Sequence, residues 1–303
     1  MNIAQYVDSL TLPSKGTALI TGGNSGIGFE FTRHILRLGW SAILAIRNME
    51  RGEKAKEALL KEFPSADVRL MHLDLADKQT VHSFCDEFIA TKTDVDVFYC
   101  NAGIYRVPYA EVYDHLESMV AVNFVSNLIL YERLSPYLHT LPHRVKWILT
   151  SSITARPEHF HEADFYGGKK FNKAKAYGRS KVAVNHLYLH LIDECRGTNI
   201  LPLLVHPGVS YTPLINKAYH GKKFQLAAQR FMRAAFHKPD KASLTTLRLL
   251  DESVTKPCFC GPRGLFHVSG YPTIYPLYKG NTRKYKETIR QAQEILRKSD
   301  GLQ

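Results

Sequence analysis

Nowhere in the 303-residue chain do 18 apolar residues follow one another, so the sequence offers no stretch that would cross a membrane as a helix. The opening residues, MNIAQYVDSLTLPSKG, have no basic start followed by an apolar core, and no secretory signal is expected. Cysteine is sparse and odd in number: Cys85, Cys100, Cys195, Cys258 and Cys260. Four of them fall in stretches that read as helix, strand or helix end, which argues against a disulfide framework and for a reducing, cytoplasmic setting. Cys258-Phe-Cys260 is too tight for zinc spacing and has no second pair, and His159, His161 and His206 have no cysteine companions. No metal is expected. Acidic residues are outnumbered, 28 Asp and Glu against 40 Lys and Arg, for a net charge of +12. Such a surface attracts nucleic acid, anionic lipid or a phosphorylated cofactor. The basic residues are spread along the chain, densest at 169–181 and 217–241, with no zinc-finger or RNP signature and no basic heptad helix. A nucleic-acid partner is not expected.

What is present has a regular beat. Apolar runs stand at Thr17–Thr21, Ser41–Ile46, 68–73, 95–100, Val145–Thr150 and Ile200–Val205. Several are too uniformly apolar for half-exposed strands, as expected when helices cover both faces of a parallel sheet. Helical patterns separate them at 27–38, 50–63, 78–91, 111–137 and 177–194. Strand and helix repeated in this way predict an α/β fold with a doubly wound parallel sheet. With hydrophobic residues at 45% and no linker or repeat, the expectation is a single domain over 1–303. It would comprise a core at about 15–207, a flap at about 208–240 where the beat breaks, and a closing helix (241–250), strand (265–268) and helix (282–298).

The first apolar run ends in "TGGNSGIG", residues 21–28, and a helix pattern follows at once. Glycine there lets the chain adopt angles other residues avoid and lets a ligand approach the backbone. The helix that begins at the turn directs free N–H groups and a positive dipole end towards it, which suits a diphosphate. Gly22, Gly26 and Gly28 are the candidate cradle.

The spacing, Gly-x3-Gly-x-Gly, resembles the cofactor loop of the short-chain dehydrogenase/reductase family, and four more motifs follow in that family's order. These are "LDLAD" (73–77), "NAG" (101–103), "SS" (151–152) ahead of "YGRSK" (177–181), and "HPGVSYT" (206–212). Any one of them occurs by chance; the ordered set over about residues 15–215 carries the resemblance. It implies a Rossmann-type sheet and a nicotinamide cofactor. Thr21, Gly22, Asn24, Ser25, Gly26, Ile27 and Gly28 would form the loop around it, with Asp74 and Leu75 at the adenine and Asn101, Ala102 and Gly103 on the ribose side. Pro207, Gly208, Val209 and Thr212 would lie near the carboxamide or diphosphate. At the end of the second strand stands Arg47, nineteen residues beyond Gly28, where a carboxylate would favour NAD. A guanidinium meets a 2′-phosphate with fixed donors, so NADP(H) is expected over NAD(H).

Tyr177 and Lys181 are four apart, hence on one helix face. By resemblance Tyr177 is the general acid/base, its pKa lowered by the Lys181 ammonium, and Lys181 also holds the nicotinamide ribose. Ser152, with Ser151 as second choice, would bond the substrate oxygen, and Asn123 in "AVNFVSN" would complete a proton relay. Ser152 and Tyr177 are 25 positions apart, more than in compact members. This insert and "AIRNMERG" resemble the retinol dehydrogenase, WW-domain oxidoreductase and protochlorophyllide reductase branch. The flap, with Tyr211, Leu214, Ile215, Tyr219, Phe224, Phe231 and Phe236, would close over a lipophilic small-molecule carbonyl or alcohol. Two other readings stay open: a non-catalytic NADPH-binding sensor, and a sugar-nucleotide epimerase or dehydratase. Family members often pair through the helices carrying Asn123 and Tyr177, which leaves a homodimer open, although the long C-terminal part would stand in its way.

Overall fold

A computed structural model of the chain describes residues 2–113, 115–155, 158–167, 171–210, 238–264, 267–276 and 284–299. The first apolar run shows how the layers arise. Ala18, Leu19 and Ile20 of β1 (Thr17–Thr21) are fully buried. Successive strand residues point to opposite faces, and Leu19 enters one hydrophobic cluster while Ala18 and Ile20 enter the other. A strand buried on both faces must lie inside a sheet sandwiched by helices, which is the architecture found.

The chain runs from a short helix α1 (Ile3–Asp8) into β1, then α2 (Gly26–Arg37), β2 (Ser41–Ile46), α3 (Met49–Glu62), β3 (Val68–His72), α4 (Lys78–Ala90) and β4 (Val97–Cys100). A long helix α5 (118–138), β5 (Val145–Thr150), α6 (Lys173–Glu194) and β6 (Ile200–Val205) follow. The chain then passes through α7 (Pro239–Arg248), β7 (Phe259–Pro262), β8 (Pro272–Tyr275) and α8 (Tyr285–Ser299). The sheet order is β8-β7-β6-β5-β4-β1-β2-β3. All neighbours are parallel except β8 on β7. From β1 the chain goes outward to β3 and then returns to β4 on the other side, so the strand order reverses between β1 and β4. In such sheets ligands sit outside the carboxyl ends of the strands at this point.

One cluster joins the sheet to α4, α5, α6 and α8, with Phe84, Phe88, Leu128, Leu134, Val184, Leu187 and Leu296 among its members. The other joins it to α1, α2, α3 and α7 through Tyr6, Phe31, Ile35, Leu59, Leu244 and Leu247. The six strands expected in the first two thirds are all present.

Three expectations are corrected. The predicted helix at 111–137 starts seven residues later, because Glu111–Val112 and Leu116–Glu117 form a small antiparallel hairpin. Tyr113 and His115 turn it with positive φ (50° and 78°). The Glu117 carboxylate then accepts from the N–H of Met119 and Val120, 3.0 Å each, which fixes the helix start. The strand predicted at 265–268 lies instead on either side, as β7 and β8. Its Pro and Gly residues hid β7: Gly261 passes so close to His206 that a Cβ would sit 2.2 Å from Nε2. The last correction is α6, which begins four residues before Tyr177, capped by the Asn172 side chain. Residues 211–237, most of the expected flap, lie outside the described residues.

Candidate active site

The carboxyl ends of β1 and β4 are stitched together around the glycine turn. Thr21 Oγ1 accepts the N–H of Ala102 at 2.9 Å, and Asn101 Nδ2 donates to the carbonyls of Thr21 (2.9 Å) and Gly22 (3.2 Å). Gly22 and Gly26 hold left-handed angles (φ 67° and 59°) that a side chain rarely tolerates. A Cβ on Gly28 would lie 2.5 Å from Asn101 Nδ2 and 2.7 Å from the Gly22 carbonyl. Ser25 precedes α2 in extended conformation and makes no side-chain cap bond, so its hydroxyl leaves the first N–H groups of the helix to a ligand. Asn24 and Ile27 are half-buried in the same turn and Ser25 is exposed. A diphosphate fits this cradle: Gly28 has no room for a Cβ, and no cap side chain takes the first N–H groups of α2.

Arg47 stands exposed where β2 ends. Asn48 caps α3 by accepting the Arg51 N–H at 2.8 Å, which brings a second exposed guanidinium into the first turn of that helix. No motif marks Arg51, although "RNMER" carries both residues. Asp74 is half-buried after β3, with Oδ1 accepting the Ala76 N–H at 3.0 Å. Leu75 is buried beside it and its carbonyl accepts from the Tyr113 hydroxyl.

Ser151 and Ser152, at the end of β5, part ways. The Ser151 hydroxyl is buried and donates to Asn185 Oδ1 at 2.5 Å. Ser152 is half-buried, accepts from Thr154 Oγ1 at 2.9 Å, and interacts with the Tyr177 phenol. Lys181 is buried one turn along α6, its Nζ 5.9 Å from the centre of the Tyr177 ring and 2.8 Å from the Thr150 carbonyl it donates to. Asn123 sits in a π-helical stretch of α5 (Ala121–Val125) and is fully buried. Its Oδ1 accepts the Ile104 N–H at 2.8 Å, and its Nδ2 donates to the Ile104 carbonyl and to Ser180 Oγ, 3.0 Å each. Asn127 Nδ2 donates to the Asn123 main-chain carbonyl at 2.8 Å. The Gly103 position is equally tight: a Cβ there would lie 2.7 Å from Asn123 Oδ1. Residues from three separate stretches of the sequence thus converge where β4 and β5 end.

Burial pushes the Tyr177 phenol up to about 12, while Ser152 and the positive charge of Arg106 pull it back in part. Burial likewise lowers Lys181 to about 8. From the chain's own groups the phenol is therefore held as an acid. The lowering expected from Lys181 is not seen, because its ammonium is turned to the Thr150 carbonyl. Pro207 and Gly208 turn the chain at the end of β6, Gly208 with φ 76° and no room for a side chain beside the Val268 carbonyl. Val209 gives its N–H to that carbonyl at 2.9 Å, so a cofactor would have to meet its other atoms. Thr212 lies outside the described residues. Arg106 and Tyr105, close to Tyr177, escaped the sequence reading; their proximity is set by the fold and no motif marks it.

The model of the short chain dehydrogenase family matches residues 16–223, well over half of the chain. The chain belongs to the short-chain dehydrogenase family. The chain is 31% identical to Retinol dehydrogenase 13 of Homo sapiens over 230 residues, which is 73% of this chain and 69% of that protein. It is 29% identical to Retinol dehydrogenase 12 of Mus musculus over 212 residues, 70% of this chain and 66% of the relative. The match to Retinol dehydrogenase 14 of Mus musculus is 32% over 209 residues, 65% and 62%. The chain thus spans just under two thirds of the length of the last two. Among solved structures, an uncharacterised protein from Mycobacterium paratuberculosis superposes with a TM-score of 0.73 at 25% identity, over 97% of this chain and 96% of that one. L-sorbose reductase from Gluconobacter frateurii, complexed with NADPH and L-sorbose, gives 0.64 at 18% identity over 82% and 96%. No helix among the described residues is long and apolar enough to cross a membrane.

Proposed function

We propose that this short-chain dehydrogenase is an NADP(H)-dependent oxidoreductase that interconverts a carbonyl and an alcohol on a lipophilic small molecule. Tyr177 serves as the general acid/base. The observation that supports this most is that Ser152, Tyr177 and Lys181 come together at the end of β5, next to the strand-order reversal where the glycine turn lies. The retinol dehydrogenase relatives and an NADPH-complexed structural neighbour point the same way.

The cofactor supplies the hydride. The glycine turn and the start of α2 would hold its diphosphate, Arg47 its 2′-phosphate, and Asp74 its adenine. In reduction Ser152 donates a hydrogen bond to the substrate carbonyl oxygen and shares the charge that develops there. Tyr177, protonated at neutral pH, delivers its proton to that oxygen. Lys181, held by the Thr150 carbonyl, would bind the nicotinamide ribose. Asn123 fixes the Ile104 backbone and, through Ser180, the turn of α6 that carries Tyr177. Oxidation runs the same steps backwards.

Fluorescence titration with NADPH and NADH tests the reading first. Selective NADPH binding, followed by turnover of apolar ketones or aldehydes, is the expected result. Failure to bind either nucleotide, or turnover of sugar nucleotides alone, refutes it.

A further inference from the structure

Helix α5 does not run evenly past the site. At Ala121–Val125 it widens into a π turn, in which the Ser126 N–H reaches five residues back to the Ala121 carbonyl. Such a turn takes in one residue more than an α-turn and loosens the carbonyls within it. Two of those carbonyls receive a side-chain donor from four residues on. Ser126 Oγ donates to the Val122 carbonyl and Asn127 Nδ2 to the Asn123 carbonyl, each at 2.8 Å. Back-bonds of this kind bend or weaken a regular α-helix, and they suit a stretch whose own ladder is already open. Asn127 is buried, and its Oδ1 has no hydrogen-bond partner among the described residues. A buried acceptor without a partner costs stability, so leucine, with the same branched shape, would serve the core better at this position. Leu128, Leu130 and Leu134, all fully buried, anchor the following turns of α5 in that core.

We propose that Asn127 is a positioning residue: by holding the Asn123 carbonyl it keeps the π turn open and so aims the Asn123 amide at the active site. This rests on the Tyr177-centred reading above and adds to it a residue that no motif marks. From inside the π turn the Asn123 side chain grips both backbone groups of Ile104 and donates to Ser180 Oγ. Ser180 in turn donates to the Tyr177 carbonyl at 2.8 Å. Successive residues of an α-helix stand about 100° apart around the axis. Closing the π turn to a regular one would swing the Asn123 side chain by about that angle against the anchored part of α5. The amide would then leave Ile104, and the turn of α6 that carries Tyr177 would lose a support. Ser126 holds the neighbouring carbonyl in the same way, so removal of the Asn127 donor weakens the π turn and leaves the helix standing.

The test compares Asn127→Leu, Asn127→Ala and Asn127→Ser in the full chain. Three properties are read: the melting temperature, hydrogen exchange of the Ile104 amide by NMR without nucleotide, and NADPH-dependent reduction of decanal. Serine can back-bond as Ser126 does, whereas leucine and alanine cannot. Asn127→Leu should melt no lower than wild type, while Asn127→Ala and Asn127→Ser should melt lower and alike, since both leave a cavity. Exchange at Ile104 should follow the donor instead of the stability. It should be about tenfold faster in Asn127→Leu and Asn127→Ala, and within about twofold of wild type in Asn127→Ser. The kcat for decanal should divide the variants in the same way, with KM and NADPH affinity unchanged. Should Asn127→Leu fail to fold, Asn127→Ala against Asn127→Ser decides alone, because the two differ only in the donor. Unaltered exchange in the variants without a donor, or exchange that ranks with melting temperature, overturns the proposal. A wild type that neither binds NADPH nor reduces decanal would sink the oxidoreductase reading, and exchange at Ile104 would still decide what Asn127 holds.

Discussion

Lys181 and Tyr177 lie on one face of α6, yet the lysine gives its hydrogen bond to the Thr150 carbonyl and stops 5.9 Å short of the tyrosine ring centre. The pair is held in place by different elements, the lysine by β5 and the tyrosine by Ser152 and Tyr105. Their contributions should therefore separate on mutation.

Tyr177→Phe removes the proton donor and leaves the ring in place. Turnover should fall by about a thousandfold or more while NADPH binding stays within about twofold. Steady-state rates and nucleotide titration on one preparation check both halves. A variant retaining near-normal rate would refute the role.

Lys181→Met should stabilise the chain. Burial lowers the lysine from 10.5 to about 8, so at neutral pH the folded state carries a charge that it disfavours. The shift corresponds to about 3 kcal/mol. Between about pH 8 and 10.5 the unfolded chain holds this proton and the folded chain does not, so the wild-type penalty fades as pH rises. Urea unfolding of nucleotide-free protein should show the methionine variant more stable at pH 7 and the difference vanishing towards pH 10.5. A constant difference across that window would contradict the assignment.

Arg47→Asp replaces an exposed cation at the end of β2 with a carboxylate. NADPH affinity should drop about ten- to a hundredfold and NADH affinity should hold or rise. Arg51→Ala in the same background reports whether the neighbouring guanidinium shares the task. An unchanged NADPH preference in the double variant would put both residues outside the cofactor site.

Helix α8 lies along α6. Thr288, Ile289, Ala292 and Leu296 are buried there, and Thr288 hydrogen-bonds His186 at 2.9 Å. Gln293 reaches Glu132 of α5 at 2.7 Å, and Ser299 meets Lys78 of α4. Ile289→Ala should cost about 2–5 kcal/mol. Because α8 covers the surface through which family members pair, the chain should elute as a monomer. A chain ending at residue 283 should self-associate or precipitate. Light scattering after size exclusion decides both; a stable dimer of the full chain would contradict the covering role.

The inner strands were readable because they are apolar on both faces, a pattern that a covered parallel sheet requires, while β3 at the sheet edge carries exposed Arg69 and His72. The site was readable where chemistry forces a residue type: glycine where a Cβ would strike Asn101, and Tyr and Lys one turn apart. The hairpin before α5 was not, since its turn rests on positive φ at Tyr113 and His115, residue types that do not advertise it. Strand β7 hid behind Pro and Gly that elsewhere mean loop. That the Ser151 hydroxyl is taken by Asn185, thirty-four positions away, and that Tyr105 and Arg106 lie by Tyr177, no motif foretells. Side-chain direction across distant elements is what a linear pattern does not carry.

The two-handed grip of Asn123 on Ile104 has a consequence for how this protein could change over generations. The grip reads only main-chain atoms, so any residue except proline at position 104 leaves it intact, and positions 105 and 106 hang from it without contributing to it. New side chains can be tried on that loop while the proton-transfer machinery stays where it is. Substrate preference is then free to drift among descendants without each step having to rebuild the catalyst.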